Sequence, residues 1–145
     1  MRKRIVIVGG GTGGTILANL LAAKLHREII NNKVELLMIS QTALHYYKPA
    51  FMYVAFNAFF KQELMRSQQS LLRPEIKFVV DKAERFDFQQ RQVVTHSGNK
   101  YGYDFLVFAT GCVPWPDKIT GPGAGRRSFL SIYGSTATGA QAGDH

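Results

Sequence analysis

An α/β fold with a central parallel sheet is the class this sequence predicts, on three observations. Arg4-Ile5-Val6-Ile7-Val8 is a short β-branched run, apolar on both faces, as expected of a strand in the middle of a parallel sheet. It runs without a linker into Gly9-Gly10-Gly11-Thr12-Gly13-Gly14, and residues 13–30 follow with apolar side chains at three- and four-residue intervals. Further short apolar runs at 33–40, 76–80 and 105–109 supply more strands.

The first strand, 4–8, leads into Gly9-x-Gly11-x-x-Gly14, and each glycine has its own task. Gly9 permits the tight turn out of the strand, Gly11 lets the backbone approach a pyrophosphate, and Gly14 lets the helix pack against the strand. The free N–H groups of the first helical turn, Thr12 among them, then face the negative charge of the ligand. Strand, glycine turn and helix together predict a dinucleotide site. The alternative is a glycine-rich turn in some other α/β protein, and the motif does not separate FAD from NAD.

The helix over 13–30 presents Ile16, Leu17, Leu20, Leu21, Leu25 and Ile29 as the face expected to cover the sheet. Asn31-Asn32 ends it, because Asn tolerates the left-handed conformation. Residues 33–40 are the second strand. Dinucleotide folds place an acid at the end of that strand for the adenosine ribose. Here Ser40 and Gln41 stand near that point, able to bond a hydroxyl but without the charge. The stretch His45-Tyr46-Tyr47-Lys48-Pro49-Ala50-Phe51-Met52-Tyr53 leaves the carboxyl end of that strand. It reads either as a wall over the ring system of a cofactor or as an aromatic loop packed on an apolar helix. Phe59-Phe60 continues the apolar character, residues 60–72 read as a weak helix, and Pro74 is its expected stop.

Residues 76–80 form another strand, and 83–103 read as a small antiparallel meander with a turn at Ser97-Gly98-Asn99. Phe105 to Ala109 returns to the parallel sheet and ends in the turn Thr110-Gly111-Cys112-Val113-Pro114-Trp115-Pro116. Pattern fades beyond Gly121. The expected organisation is one domain over 1–121 and a low-pattern tail over 122–145 with the composition of a linker or disordered end.

Composition narrows the function classes. A 46% hydrophobic content indicates a globular chain. The formal charge of +8 is spread along the length in runs of three or fewer, and aromatic residues do not interleave with it as in a nucleic-acid module. Such a balance suits an anionic cofactor or an anionic membrane surface. With a single cysteine, Cys112, no internal disulfide or CxxC metal site exists, and His26, His45, His96 and His145 share no metal-ligand spacing. No stretch reaches eighteen apolar residues, and the apolar start at Ile5 meets glycines and not a cleavage site. No membrane-spanning segment or signal peptide is expected.

Several runs carry a family resemblance: Ile5 to Gly14, the aromatic-proline loop Tyr47 to Tyr53, Phe86-Asp87, Val93 to Gly98, and Tyr103-Asp104-Phe105-Leu106-Val107-Phe108-Ala109-Thr110-Gly111. The last is much more specific than the glycine turn. Over about residues 3–122 the chain resembles the amino-terminal part of the pyridine nucleotide-disulfide flavoprotein oxidoreductases. Within that family it is most similar to the sulfide:quinone oxidoreductases, with flavocytochrome c sulfide dehydrogenase and type II NADH dehydrogenase as relatives. The resemblance implies a Rossmann-like FAD-binding domain. It implies that Gly9, Gly11 and Gly14 hold the pyrophosphate and that Ala83 lies near the adenine. Pro49 would lie near the flavin, with Thr110-Gly111 beside the cofactor. It also implies a redox role for Cys112, since some of these enzymes carry a cysteine directly after the Ala-Thr-Gly run and use flavin-side cysteines to attack sulfide sulfur. The alternative for Cys112 is a plain residue at a strand end.

The implied activity passes electrons from sulfide through FAD to a quinone. The rival readings are a type II NADH:quinone reductase-like domain and a non-catalytic dinucleotide-binding remnant. Family enzymes run to several hundred residues and use a second cysteine, and Gly143-Asp144 matches a later family dipeptide only superficially. The chain is therefore expected to be a fragment, a truncated product or one with a shifted frame near 122–127, with an incomplete sheet. The resemblance further implies membrane association, mitochondrial in a eukaryote. Arg2-Lys3-Arg4 adjoins the first strand, so no transit peptide is expected ahead of the domain.

Overall fold

A computed structural model describes residues 1–56, 58 and 60–112. Four parallel strands form the central sheet in the order β5-β2-β1-β9. They are β1 (Lys3–Val8), β2 (Val34–Ser40), β5 (Ile76–Val80) and β9 (Phe105–Phe108). β1 lies between β2 and β9, with Ile7 opposite Met38 on one side and Val107 on the other. A strand paired on both edges and covered on both faces has no polar side, which is why 4–8 reads as an unbroken apolar run.

The pleat divides the core into two layers. Ile7, Leu36, Met38 and Ile76 face Ala18, Ala22 and Leu72 on the helical side. Val6, Val8, Leu37 and Ile39 face Val93, with Phe86, Tyr101 and Leu106 packed around them. The second layer is roofed by a meander of β6 (Ala83–Asp87), β7 (Gln92–Thr95) and β8 (Lys100–Gly102), all antiparallel. The meander expected over 83–103 is present and packs on one face of the sheet. Each fully buried Val, Leu or Ile in these layers stabilises the fold by roughly 1.5–3 kcal/mol.

Two expectations are corrected. The helix over 13–30 is two helices, α1 (Thr12–Lys24) and α2 (His26–Ile30), which meet at the non-helical Leu25. Its sheet-facing side is only in part the expected stripe: Leu21 and Ile29 pack against the core, but small residues hold the centre of the face. Gly14, Thr15, Ala18 and Ala22 are buried, whereas Ile16 and Leu20 are 55% and 56% exposed. Small side chains win this face because the helix lies close against β1. The second correction concerns 60–72, which is not a helix. It consists of a 3-10 turn at Lys61–Leu64, strand β4 (Met65–Ser67) and a second 3-10 turn at Gln69–Leu71. Pro74 accordingly sits in a turn before β5 and ends no helix. β4 pairs antiparallel with β3 (Leu44–Tyr46), and long-range pairing overrides the weak local pattern. Between them lie a 3-10 turn at Lys48–Ala50 and the short helix α3 (Phe51–Ala55). Phe51, Ala50 and Leu64 form a small third core there. The expectations for Phe59, for 113–116 and for the tail over 122–145 fall outside the described residues.

At the amino end of the sheet, Glu35 is buried beneath three cations. Arg4 Nε and Lys77 Nζ approach its carboxylate at 3.1 and 2.6 Å, and Arg2 at 3.8 Å. Burial pushes the Glu35 carboxyl up, but hydrogen bonds from Lys77 and Arg4 and their charges outweigh it and hold its pKa below the usual glutamate range. Its contribution to stability is therefore full at neutral pH and is lost as pH falls through the lowered folded-state value. Glu35→Gln is expected to lower stability by about 1–2 kcal/mol, since the three cations stay hydrated. Thermal melts of both chains across pH should show the gap closing on acidification.

Candidate functional site

The site forms where β1, β2 and β9 end. Gly9 leaves β1 with φ 115°, in the left-handed region, and its N–H donates to the Ile39 carbonyl at 2.9 Å. A Cβ on Gly9 would run into the carbonyl of Ala109, at the end of β9. A Cβ on Gly14 would strike the Gly9 carbonyl oxygen, so helix and turn touch backbone to backbone. Gly11 is different. It caps α1 in an extended conformation, and nothing lies within 4 Å of where its Cβ would be. The space over Gly11 is open, as a backbone that receives an anionic group requires.

Gly10 has a constraint that the motif does not reveal. Its Cβ would meet Ser40 Oγ at 2.8 Å and the Gln68 amide carbon at 3.3 Å. Ser40 is thus buried beneath the turn, whereas Gln41 is exposed. Only Gln41 of this pair faces solvent.

Below the turn lies a buried polar network that sequence reasoning missed. His45 Nδ1 is 3.0 Å from the Gly10 carbonyl and 3.0 Å from Gln68 Oε1. Gln68 Nε2 donates to Thr15 Oγ1 at 2.8 Å, and Thr15 Oγ1 donates to the Gly11 carbonyl at 2.9 Å. The two backbone carbonyls can only accept, and this fixes every other role. Thr15 spends its proton on Gly11, so the atom facing it must be the Gln68 N–H. The Gln68 oxygen then faces His45, whose Nδ1 must carry the hydrogen. All three side chains are buried, Gln68 completely. No motif or spacing joins residues 15, 45 and 68; the pairing of β3 with β4 brings the last two together.

The specific signature at Tyr103-Asp104 acts at the other end of β9. Asp104 accepts from Lys3 Nζ and from the Arg4 N–H, both at 2.8 Å, and its own N–H donates to the Arg4 carbonyl. The hydrogen bond from Lys3, then that from the Arg4 backbone, holds its carboxyl below the usual aspartate range. Asp104 sets the register of β9 on β1, which in turn delivers Ala109 and Thr110 to Gly9.

Of the residues singled out from sequence, the structure brings Gly9, Gly14, Ser40 and the Thr110 backbone into one cluster around the turn, with Gly11 and Thr12 at the start of α1. Pro49 is exposed on the 3-10 turn after β3. Ala83 opens β6 and packs against the meander-side core. Gly111, with φ 71°, and Cys112 are exposed beyond β9. The aromatic stretch resolves into two parts: Tyr46 and Phe51 pack the third core, and Tyr47, Met52 and Tyr53 are exposed. Among the described residues no three of His, Cys, Asp and Glu converge as metal ligands, and no helix is long and apolar enough to cross a membrane.

A parallel sheet whose first strand turns through glycines into a helix, with open space over the helix start, defines a Rossmann-like α/β domain. Comparison with known proteins then supplies the family. The sequence profile of the pyridine nucleotide-disulphide oxidoreductases matches residues 3–142, and the chain belongs to that family. It is 29% identical over 132 residues to the mitochondrial sulfide:quinone oxidoreductase of Dictyostelium discoideum, covering 90% of this chain and 28% of that protein. It is 34% identical over 113 residues to the sulfide-quinone reductase of Aquifex aeolicus, covering 77% of this chain and 25% of that one. The crystal structure of the Aquifex aeolicus sulfide:quinone oxidoreductase superposes with a TM-score of 0.64 at 29% identity, over 75% of this chain and 24% of that one. The chain thus spans about a quarter of the length of these relatives.

The glycines divide into packed and open positions, with different consequences. Gly14→Ala is expected to lower stability by about 1–3 kcal/mol through backbone overpacking. Gly11→Ala is expected to change stability by less than about 1 kcal/mol, since alanine fits the extended backbone and narrows the unfolded ensemble but is a poorer N-cap for α1. Urea denaturation of the two variants beside the parent checks both.

Proposed function

We propose that this chain is the FAD-binding part of a sulfide:quinone oxidoreductase-like flavoenzyme, with the FAD unit over residues 1–121. The observation that carries the dinucleotide-binding part of the reading is the turn itself: packed at Gly9 and Gly14, open at Gly11, with no side chain capping the start of α1. The similarity to two sulfide:quinone oxidoreductases, at 29% and 34% identity, supports that choice within the family.

In this reading Gly9, Gly11, Thr12 and Gly14 hold the pyrophosphate with backbone N–H groups, where the dipole of the 13-residue α1 also favours negative charge. Gln41 is the exposed group at the end of β2 and bonds a ribose hydroxyl through its amide, with Ser40 bracing the turn from below. Ala83 borders the adenine side, Pro49 the flavin side, and Thr110 and Gly111 present backbone beside the cofactor. FAD, when bound, supplies the acceptance and release of an electron pair. The exposed Cys112 thiol would carry the sulfur of sulfide, with the electron pair released on joining the two sulfurs passing to the flavin as the two-electron oxidant. Sulfide and quinone as substrates, and peripheral attachment to a membrane surface, belong to the same reading.

The test is a visible absorbance spectrum of the purified chain after addition of FAD and desalting. A retained flavin band near one equivalent supports the reading, and a colourless folded protein overturns it. Gly11→Ala is expected to lose the band while keeping its fold, because the methyl group occupies the space the pyrophosphate needs. Cys112→Ala is expected to keep the flavin. A flavin-free Cys112→Ala would remove the thiol from the electron-transfer side of the site.

A further inference from the structure

His45 and Gln68 are buried polar residues with no part in the redox chemistry proposed above, and the core would pack more simply with apolar side chains at both. What they touch explains their presence. A turn that cradles an anion must direct its N–H groups outward and its carbonyls away, because a carbonyl oxygen aimed at a phosphate repels it. In this turn the Gly10 carbonyl is drawn inward by His45 Nδ1 at 3.0 Å. The Gly11 carbonyl is drawn inward by Thr15, through its N–H and its hydroxyl, both at 2.9 Å. Gln68 joins the two, accepting from His45 and donating to Thr15.

We propose that His45, Gln68 and Thr15 are a positioning brace for the phosphate-binding turn, selecting the turn conformation that accepts a pyrophosphate-containing ligand. The proposal rests on the reading that this turn holds the pyrophosphate of FAD. The brace couples two places far apart in sequence. His45 lies on β3 and Gln68 directly after β4, so the small β3-β4 hairpin is fastened to the turn through side chains. Gln68 also donates from its main chain to the Ala43 carbonyl at 2.8 Å, which holds its side chain in place. Thr15 belongs to α1 and brings the helix into the same unit. The three side chains are buried beneath the turn, so the brace acts through the shape of the turn.

The test uses three variants of the full chain. His45→Leu removes the donor to Gly10 and Gln68. Gln68→Leu removes the link to Thr15. His45→Asn keeps an N–H at the position of Nδ1. Affinities for FAD and for ADP, which both carry a pyrophosphate, are measured by flavin fluorescence and by calorimetry. Amide hydrogen exchange of residues 11–15 is followed without ligand, against the β1 and β2 amides as internal reference. His45→Leu and Gln68→Leu are expected to bind both ligands on the order of ten-fold more weakly and to lose protection selectively at 11–15, with His45→Asn recovering most of each loss. Parent-like affinities for FAD and ADP in His45→Leu would overturn the proposal. So would a loss of protection spread evenly over turn and sheet, since that marks a general packing role. If the parent chain binds neither ligand, the FAD reading falls. The exchange pattern then decides the brace alone: selective loss at 11–15 supports it and parent-like protection overturns it.

Discussion

The contact on which the structure depends is backbone against backbone, Gly14 against the Gly9 carbonyl. It sets how closely α1 approaches β1, and from that distance much else follows. At such a separation only small residues fit between helix and sheet, so Ala18 and Ala22 follow Gly14 at four-residue steps along the buried side. Ile7, Leu36 and Met38 then fill the layer from the sheet side. The same contact aims the start of α1 along the line on which β1 ends, with open space over Gly11 beside the first turn. Packing density and the setting of the helix start therefore have one origin.

The two ends of the sheet have separate tasks. At the amino end, charges fix the strands: Glu35 gathers Arg2, Arg4 and Lys77, and Asp104 ties β9 to Lys3 and Arg4. At the carboxyl end, the backbone is shaped by glycines and by neutral hydrogen bonds through His45, Gln68 and Thr15. The Glu35 and Asp104 pairs thus lie at the opposite end of the sheet from the glycine turn. Apolar packing joins the two ends, since alternate residues of β1 and β2 face opposite layers along their full length.

Much of the fold was legible in the sequence because strand periodicity and glycine spacing are local. β1, β2, β5, β9 and the meander fall within a residue or two of where alternation and turn residues put them. The packing roles of the glycines at 9 and 14 were legible for the same reason, as steric demands written into two positions. What was not legible depends on contacts between distant residues. The β3-β4 hairpin exists through pairing across about twenty residues, and its two short strands carry no pattern of their own. The brace at His45 and Gln68 is invisible for the same cause. Ser40 illustrates a subtler gap. Its place at the end of β2 was readable, but its side chain turns under Gly10, which only the packing of the turn decides.

The apolar side chains of α1 lie all around it. Ile16 and Leu20 point away from the sheet, while the buried Ala18 and Ala22 carry far less apolar surface. At about 100° per residue, Ile16 and Ala18 stand on opposite sides of the cylinder. Hydrophobicity alone selects no single rotation, since Leu21 packs against the core while Ile16 and Leu20 face away from it. The orientation is instead keyed by the missing side chain at Gly14, in the way a notch indexes a shaft. The rotational setting of a whole helix, and with it the aim of every N–H in its first turn, is encoded by an absence of atoms at one position.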